Sequence, residues 1–230
     1  MKMAEAQRIV TWINLGVVCG LLASVAYPAI IIFDMPVSWA VAVAATFGVS
    51  LAAASIGLYH FVALHRNTAT LQLAAILNVI AGALFTAMLV VQIGIGEFME
   101  QQASLVGTEI SQPTYRLIFG AVDKVQLGLD MVFDIFIGVG TLLFAFNMAS
   151  HPRFNVLFAA AGGFIACALL VLNASTFPVP PGDAGLVDLG PFVGAWYLLS
   201  TLVILISARW IRNTVKERFE PAGTSAVQAG

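Results

Sequence analysis

Charged side chains are scarce in this sequence. Asp, Glu, Lys and Arg make up 10% of the 230 residues, whereas hydrophobic residues make up 60%. A water-soluble domain usually carries about 25% charged residues, so this chain has too little polar material to cover a surface in water. The composition therefore excludes an ordinary soluble domain and predicts a membrane protein whose surroundings are the lipid bilayer.

Other absences narrow the function. The two cysteines lie inside apolar runs, and no CxxC or Cys/His spacing points to a metal or redox site, so we expect no metal and no cofactor. A formal net charge of -2 without a dense basic patch excludes nucleic acid as a partner. No GxSxG, HExxH or phosphate-binding glycine loop is present, so the sequence gives little support to an enzyme. No cleavage site follows the first apolar run, which we expect to be retained.

Apolar runs long enough to cross a bilayer recur six times, separated by turn signals or charges. A backbone in lipid must satisfy its own hydrogen bonds, so each run should be a helix. The prediction is an all-α polytopic bundle in one domain over 1–219, with a long external connection at 97–118 and a disordered tail at 220–230. The predicted spans are 8–33, 37–64, 69–96, 119–147, 154–177 and 191–213.

The basic residues predict an orientation. With the N-terminus in the cytoplasm, eight of the ten basic residues fall on the cytoplasmic side of a six-span chain, which is the positive-inside bias. The four tryptophans also fall near predicted interfaces, as in an aromatic belt. The N- and C-termini are therefore predicted to be cytoplasmic. The eight residues are Lys2, Arg8, Arg66, Arg153, Arg209, Arg212, Lys216 and Arg218.

The fourth span carries acidic residues at helical spacing. At about 100° per residue, Asp123, Asp130 and Asp134 share one face, and Thr141 joins it. The helical rise puts Asp134 about 16 Å deeper than Asp123, near the middle of the membrane. A carboxylate there costs about 2.5–3.5 kcal/mol. This face must therefore turn toward other helices or a water-filled cavity, and we expect Asp134 to be protonated much of the time at neutral pH.

Candidate partners lie on neighbouring segments. Asn78 and Gln92 share one face of the third span, and Lys124 is a possible counter-charge for Asp123, although its long stem can also reach outward. Asn78 and Gln92 are explained as simply by hydrogen bonding between helices, whereas carboxylates are a costly way to obtain such a bond. The candidate site for a proton, ion or polar solute comprises Asp123, Asp130, Asp134, Asn78, Gln92 and Lys124.

The three histidines do not suggest a metal or haem site. His60 and His65 are five residues apart and so lie on different faces of a helix. His65 and His151 fall in predicted turns, where we expect solvated side chains. Haem ligation would need paired histidines at matching depths on two spans, and that pattern is missing.

Two segments carry a resemblance. The stretch NASTFPVPPGDAGLVDLGPFVGAWYLLSTLVILISARW at 173–210 is similar to the C-terminal part of a family of bacterial multi-span proteins known only as a domain of unknown function. GLDMVFDIFIGVGTLLFA at 128–145 is compatible with the same group. The resemblance implies a multi-pass protein of the bacterial inner membrane with about six helices. It supplies no activity and no site residues.

Three functions remain open. The first is a protein that binds or moves a proton, cation or small polar solute along the fourth span, for which a homodimer is plausible. The second is a non-catalytic subunit or assembly factor of a larger membrane complex. The third and least favoured is a membrane enzyme acting on lipid or quinone, because histidine partners are missing at the depth of the aspartates.

Overall fold

The computed structural model describes residues 2–103 and 111–219, and these residues fold into helices without a strand. The predicted tail at 220–230 and part of the predicted connection, 104–110, lie outside the described residues. The seven helices in the described part are α1 Lys2–Ile32, α2 Val37–Ala63, α3 Ala69–Ala103, α4 Gln112–Met148, α5 Val156–Thr176, α6 Gly190–Ile206 and α7 Ala208–Phe219.

The helices are suited to a bilayer. α1 to α5 are each long and apolar enough to cross a membrane, and α6 together with α7 adds a sixth crossing if the bent pair counts as one span. Large apolar side chains such as Val25, Phe146 and Phe164 point outward and are about 70% exposed or more on the protein itself (69%, 73% and 75%). The all-helical fold is confirmed, and it has five or six helices that are long and apolar enough to span a membrane. The cytoplasmic placement of the termini stays a prediction.

The predicted sixth span, 191–213, covers a pair of helices with a bend between them. α6 ends at Ile206, and α7 turns away from it by 64°. The Ser207 hydroxyl donates to the Val203 carbonyl at 2.6 Å and accepts from Arg153 Nε at 2.9 Å, which fixes the break. The residues that follow carry too many charges for hydrocarbon. Ile211 and Val215 instead pack α7 against the end of the bundle.

The predicted connection at 97–118 is mostly helix. α3 runs on to Ala103, and α4 begins at Gln112, where the Ser111 side chain caps it by accepting from the Thr114 N–H. α4 has 37 residues and is therefore about 55 Å long, against about 30 Å of hydrocarbon. α3 and α4 thus extend past the other helices as an antiparallel hairpin, whose tip comprises residues 96–103 and 111–122.

Small residues let the first three helices approach closely. A Cβ added to Gly16 of α1 would lie 2.5 Å from the Cα of Gly57 in α2, and one added to Gly48 of α2 would lie 2.4 Å from the Gly82 carbonyl oxygen in α3. Such contacts between backbones are the usual way for membrane helices to gain dispersion energy. They hold α1, α2 and α3 in one tight layer.

The two ends of the bundle differ in charge. One end holds the start of α1, the turns at 64–68 and 149–155, and α7, and we call it the basic end because its charged side chains are mostly Arg and Lys. The opposite end holds the hairpin tip and the loop at 177–189. We call it the acidic end because Asp34, Glu97, Glu100, Asp183 and Asp188 lie there.

Candidate functional site

Asp134 lies inside the bundle. Its side chain is 7% exposed, whereas Asp130 and Asp123, farther toward the acidic end, are half-buried. Within the described residues no hydrogen bond and no ion pair reaches the Asp134 carboxyl group. The charged groups close enough to act on it are the carboxylates of Asp130 and Asp188. A carboxyl group buried without a partner among the described residues is a costly element of a membrane helix.

An aromatic cluster closes the bundle beside this acid. The Phe85 ring lies 4.3 Å from Phe47, 4.8 Å from Phe133 and 5.5 Å from Tyr27, measured between ring centroids. Phe133 directly precedes Asp134, so the cluster lies at the depth of the carboxyl group. The rings bring helices α1 to α4 together at this depth.

Asp130 lies at the foot of a shallow cleft. The cleft opens between the outer half of α4, the end of α5 and the loop after it, and it is lined by Leu127, Asp130, Met131, Asn173 and residues 177–180. Its volume is about 10 Å³, which gives room for roughly one water molecule. A path from the acidic end thus reaches Asp130, one helical turn from Asp134.

Lys124 contacts the loop that lines one side of this cleft. Its ammonium group donates to the Pro178 carbonyl at 3.0 Å, and it forms no ion pair with Asp123 in the part of the chain that the structure describes. The predicted counter-charge role is therefore not seen. The lysine instead ties α4 to the loop after α5.

Asn78 belongs to a different polar group, nearer the basic end. Its Nδ2 donates to the Tyr197 hydroxyl, which also shares a hydrogen bond of 3.0 Å with Thr141. Asn78 and Thr141 are buried and Tyr197 is half-buried. Asn78 Oδ1 faces Gly140 without a hydrogen-bond partner among the described residues. Asn78 is level with Gly140, which lies six residues, or about 9 Å, from Asp134 toward the basic end. It is therefore not a direct partner of that acid.

The remaining candidates lie toward the acidic end. The antiparallel register that sets Asn78 beside Gly140 and Phe85 beside Phe133 places Gln92 level with residue 126, about two helical turns outward of Asp134. Gln92 is half-buried there. The structure thus brings Asp130 and Asp134 together, adds Asp188 to them, and separates them from Asn78 and Gln92.

Tyr197 and Asp188 were missed from the sequence. Asp188 lies in the loop before α6 and Tyr197 lies in α6, both far along the chain from α4. No local spacing therefore connects them to the acidic face. One sequence feature could have indicated Tyr197: its hydroxyl lies within an apolar span. A Tyr hydroxyl buried there usually needs a hydrogen-bond partner.

The donor set does not suit a metal ion. Across residues 2–103 and 111–219 no group of three or more His, Cys, Asp or Glu side chains could hold one. Asp130 and Asp134 instead place two carboxyl groups on adjacent turns of α4.

His151 is buried, and the prediction of a solvated side chain there is wrong. The ring is 2% exposed and packs against the rings of Phe61, Trp210, Phe154 and His65 at centroid distances of 5.0–5.6 Å. Its Nδ1 accepts from the Arg153 backbone N–H at 3.2 Å. The turn at 149–155 folds back under α7, which a local reading of the sequence cannot reveal.

This environment should make stability depend on pH. Burial, with the nearby His65 and Arg153, lowers the pKa of His151 to about 4, although the Phe61 carbonyl partly opposes the shift. An unfolded histidine titrates near 6.5, so the native state binds fewer protons between pH 6.5 and 4. Stability is then full above about pH 6.5 and falls as the pH drops, by roughly 2 kcal/mol between pH 7 and 5.

Thermal unfolding in neutral detergent at pH 7 and pH 5 measures this loss. His151→Phe keeps an aromatic ring in the same cage but cannot titrate, so its stability should change much less between the two pH values. An equal loss in the wild type and the variant would show that other groups cause the pH dependence.

Comparison with known proteins gives this chain no relative. No family model matches it, and neither the curated proteins nor the solved structures include a significant match. The resemblance of 128–145 and 173–210 to a bacterial multi-span family therefore stays a prediction, and function must be argued from the geometry of the bundle.

Proposed function

We propose that this chain is a multi-pass membrane protein that binds a proton at Asp134 and exchanges it with the acidic end through Asp130. The observation that carries the proposal is a carboxyl group that is 7% exposed, with no cationic or hydrogen-bonding partner in the described residues. An unpaired acid is an expensive element of a membrane helix, and such residues are usually functional. A cation or a small polar solute held at the same pair of acids is the broader form of this proposal.

The surroundings support exchange on one side. Asp130 lines the cleft at the acidic end, and it is four residues from Asp134, which places the two carboxyl groups on adjacent turns of α4. A water molecule in the cleft is then able to pass a proton to Asp130, and Asp130 to pass it inward. Only one of the two acids needs to be charged at a time, because their mutual repulsion disfavours the doubly charged pair.

The path inward is interrupted in this conformation. Thr141 and Tyr197 lie about two helical turns beyond Asp134, and Ile137, which is 3% exposed, fills the space between them. A still deeper polar contact joins Thr68 and Asn147 at 2.6 Å. Release toward the basic end therefore requires a helix shift that opens the Ile137 region, so that Asp134 faces one side at a time.

Proton movement is measurable without knowing a solute. The purified chain is reconstituted into liposomes with a pH-sensitive dye inside, and an external pH step is applied. We expect faster equilibration than in protein-free liposomes, and a return to the protein-free rate with Asp134→Asn. Equal rates for the wild type and Asp134→Asn would contradict proton translocation by this acid.

The second candidate function is a non-catalytic subunit or assembly factor. It is favoured by the hairpin tip, which exposes Phe98, Leu117, Ile118 and Phe119 (44–74% exposed) beyond the other helices. Apolar side chains grouped there suit contact with another membrane protein. This function predicts that larger proteins copurify with the chain and that Asp134→Asn leaves the complex intact, whereas changes at the tip disrupt it.

A further inference from the structure

A second polar cavity lies at the basic end, far from the aspartates. It has a volume of about 240 Å³ and is lined from α1, α2, the turn after α2, and α7. Its polar lining residues are Glu5, Arg8, Tyr59, His60, Asn67 and Arg218. The proposed proton site uses none of these side chains.

Two arginines give the cavity a positive edge. Arg8 and Arg218 are both exposed, and one N–H of Arg218 donates to the Ala63 carbonyl at 3.2 Å. A guanidinium group has five N–H donors in a planar fork, so most donors of Arg218 stay available. Arg8 forms no hydrogen bond or ion pair within residues 2–103 and 111–219. Glu5 is the single acid of the lining, so the two arginines leave a net positive charge.

Neutral side chains add an oriented donor. The Asn67 Oδ1 accepts from the Tyr59 hydroxyl at 3.3 Å and from Gln72 Nε2 at 3.4 Å. These two bonds fix the amide, and its Nδ2 has no acceptor in the part of the chain that the structure describes. Arginine side chains are preferred donors to phosphate oxygens, and the amide nitrogen of Asn67 is a further donor on the same cavity.

The rest of the lining is apolar. Ile9, Ala63, Leu64 and Phe219 complete the cavity, and Trp12 stacks on His60 at a centroid distance of 6.3 Å. Tryptophan near the end of a span is typical of the membrane interface. A ligand that meets both linings would carry a phosphate at one end and hydrocarbon at the other.

We propose that this cavity binds a phosphate-bearing anion, with the headgroup of an anionic membrane phospholipid as the best-fitting source. Arg8 and Arg218 hold the phosphate oxygens, Asn67 donates to them, and Ile9, Leu64 and Phe219 contact the glycerol and the first acyl carbons. Because α7 supplies Arg218 and Phe219, an occupied cavity also joins α7 to α1 and α2.

The test uses the full-length chain in neutral detergent. Short-chain phosphatidylglycerol, short-chain phosphatidylcholine and inorganic phosphate are titrated separately, and bound ligand is counted by native mass spectrometry with thermal stabilisation as a second readout. Wild type should bind phosphatidylglycerol, and Arg8→Gln should weaken that binding about tenfold, because it removes charge-assisted hydrogen bonds to the phosphate. Arg218→Gln should do the same.

Arg209→Gln and Arg212→Gln are matched controls. They remove the same charge at the same end of the bundle but lie outside the cavity lining, so they should leave the affinity unchanged. Equal weakening in the controls would overturn the proposal, because it would show diffuse attraction to a basic surface. Absence of binding by all three ligands would overturn it as well.

The separate ligand titrations distinguish a lipid headgroup from a free phosphate anion. Binding of phosphatidylglycerol with Arg8 dependence, and none of inorganic phosphate, assigns the cavity to a lipid headgroup. Binding of inorganic phosphate with the same Arg8 dependence assigns it to a free anion. Arg8→Gln stays decisive if Arg218→Gln fails to fold through loss of its bond to the Ala63 carbonyl, since Arg8 forms no such bond in the described residues.

Discussion

Asp134→Asn should remove the absorption of a protonated carboxyl group from the infrared spectrum of the protein at pH 7 while leaving the helices intact. The wild-type carboxyl group lies 7% exposed among helices, with Asp130 and Asp188 as its charged neighbours. Burial and like charge both favour the neutral acid. Asparagine has nearly the same shape and is always neutral, so the fold should keep its stability to within about 1 kcal/mol.

Asp123→Asn is the matched control for this measurement. It makes the same chemical change on the same face of α4, but Asp123 is only half-buried and lies nearer the acidic end. Its loss should leave the carboxyl absorption in place. A spectrum that shows no neutral acid in the wild type, or one in which Asp123→Asn removes the band as fully as Asp134→Asn, would remove the basis of the proposed function. Circular dichroism of each variant checks the helices.

The periodic part of the fold could be predicted from the sequence. The first five helices match five apolar runs because hydrocarbon length and backbone hydrogen bonding leave few alternatives in lipid. The spacing of Asp123, Asp130 and Asp134 gave their common face for a similar reason, since a helix has one fixed angular step.

The ends of helices could not be read in the same way. The apolar run of the last span continues through Trp210 and Ile211, so hydropathy alone did not show the bend at Ser207. The bend depends on Arg153, more than fifty residues earlier, whose Nε donates to the Ser207 hydroxyl. At the other end, α3 and α4 continue as helix into a polar segment because the two helices contact each other. One such contact is the hydrogen bond from the Tyr115 hydroxyl to the Met99 carbonyl.

The hydrogen-bond and packing partners of the polar residues could not be predicted from the sequence either. Asn78 and Tyr197 are 119 residues apart, and one sequence carries no sign of which side chain faces which across helices. His151 shows the same limit, since its burial arises from Phe61 and Trp210 on two other helices. The helix or turn that carries each of these groups was therefore predictable, whereas their contacts needed the packed bundle.

The largest loss of stability should come from Gly16→Val. A Cβ at Gly16 would lie 2.5 Å from the Cα of Gly57 and 3.4 Å from the Ala54 carbonyl oxygen. The first distance is below any real van der Waals contact, and both neighbours are backbone atoms that no rotamer change can move. α1 must separate from α2, and the tight layer loses its dispersion contacts. We expect a loss of about 1–3 kcal/mol or more, measured by thermal unfolding in detergent.

Gly94→Val separates this clash from the general cost of losing a helical glycine. No heavy atom lies within 4 Å of a Cβ built on Gly94, which is also helical, so the same substitution there meets open space. Valine favours a helix slightly more than glycine does, and Gly94→Val should be neutral or slightly stabilising. If Gly16→Val and Gly94→Val had the same unfolding temperature, α1 and α2 would not be in backbone contact. The cavity at the basic end would then lose its support too, because α1 and α2, which form two of its walls, are held together by this crossing.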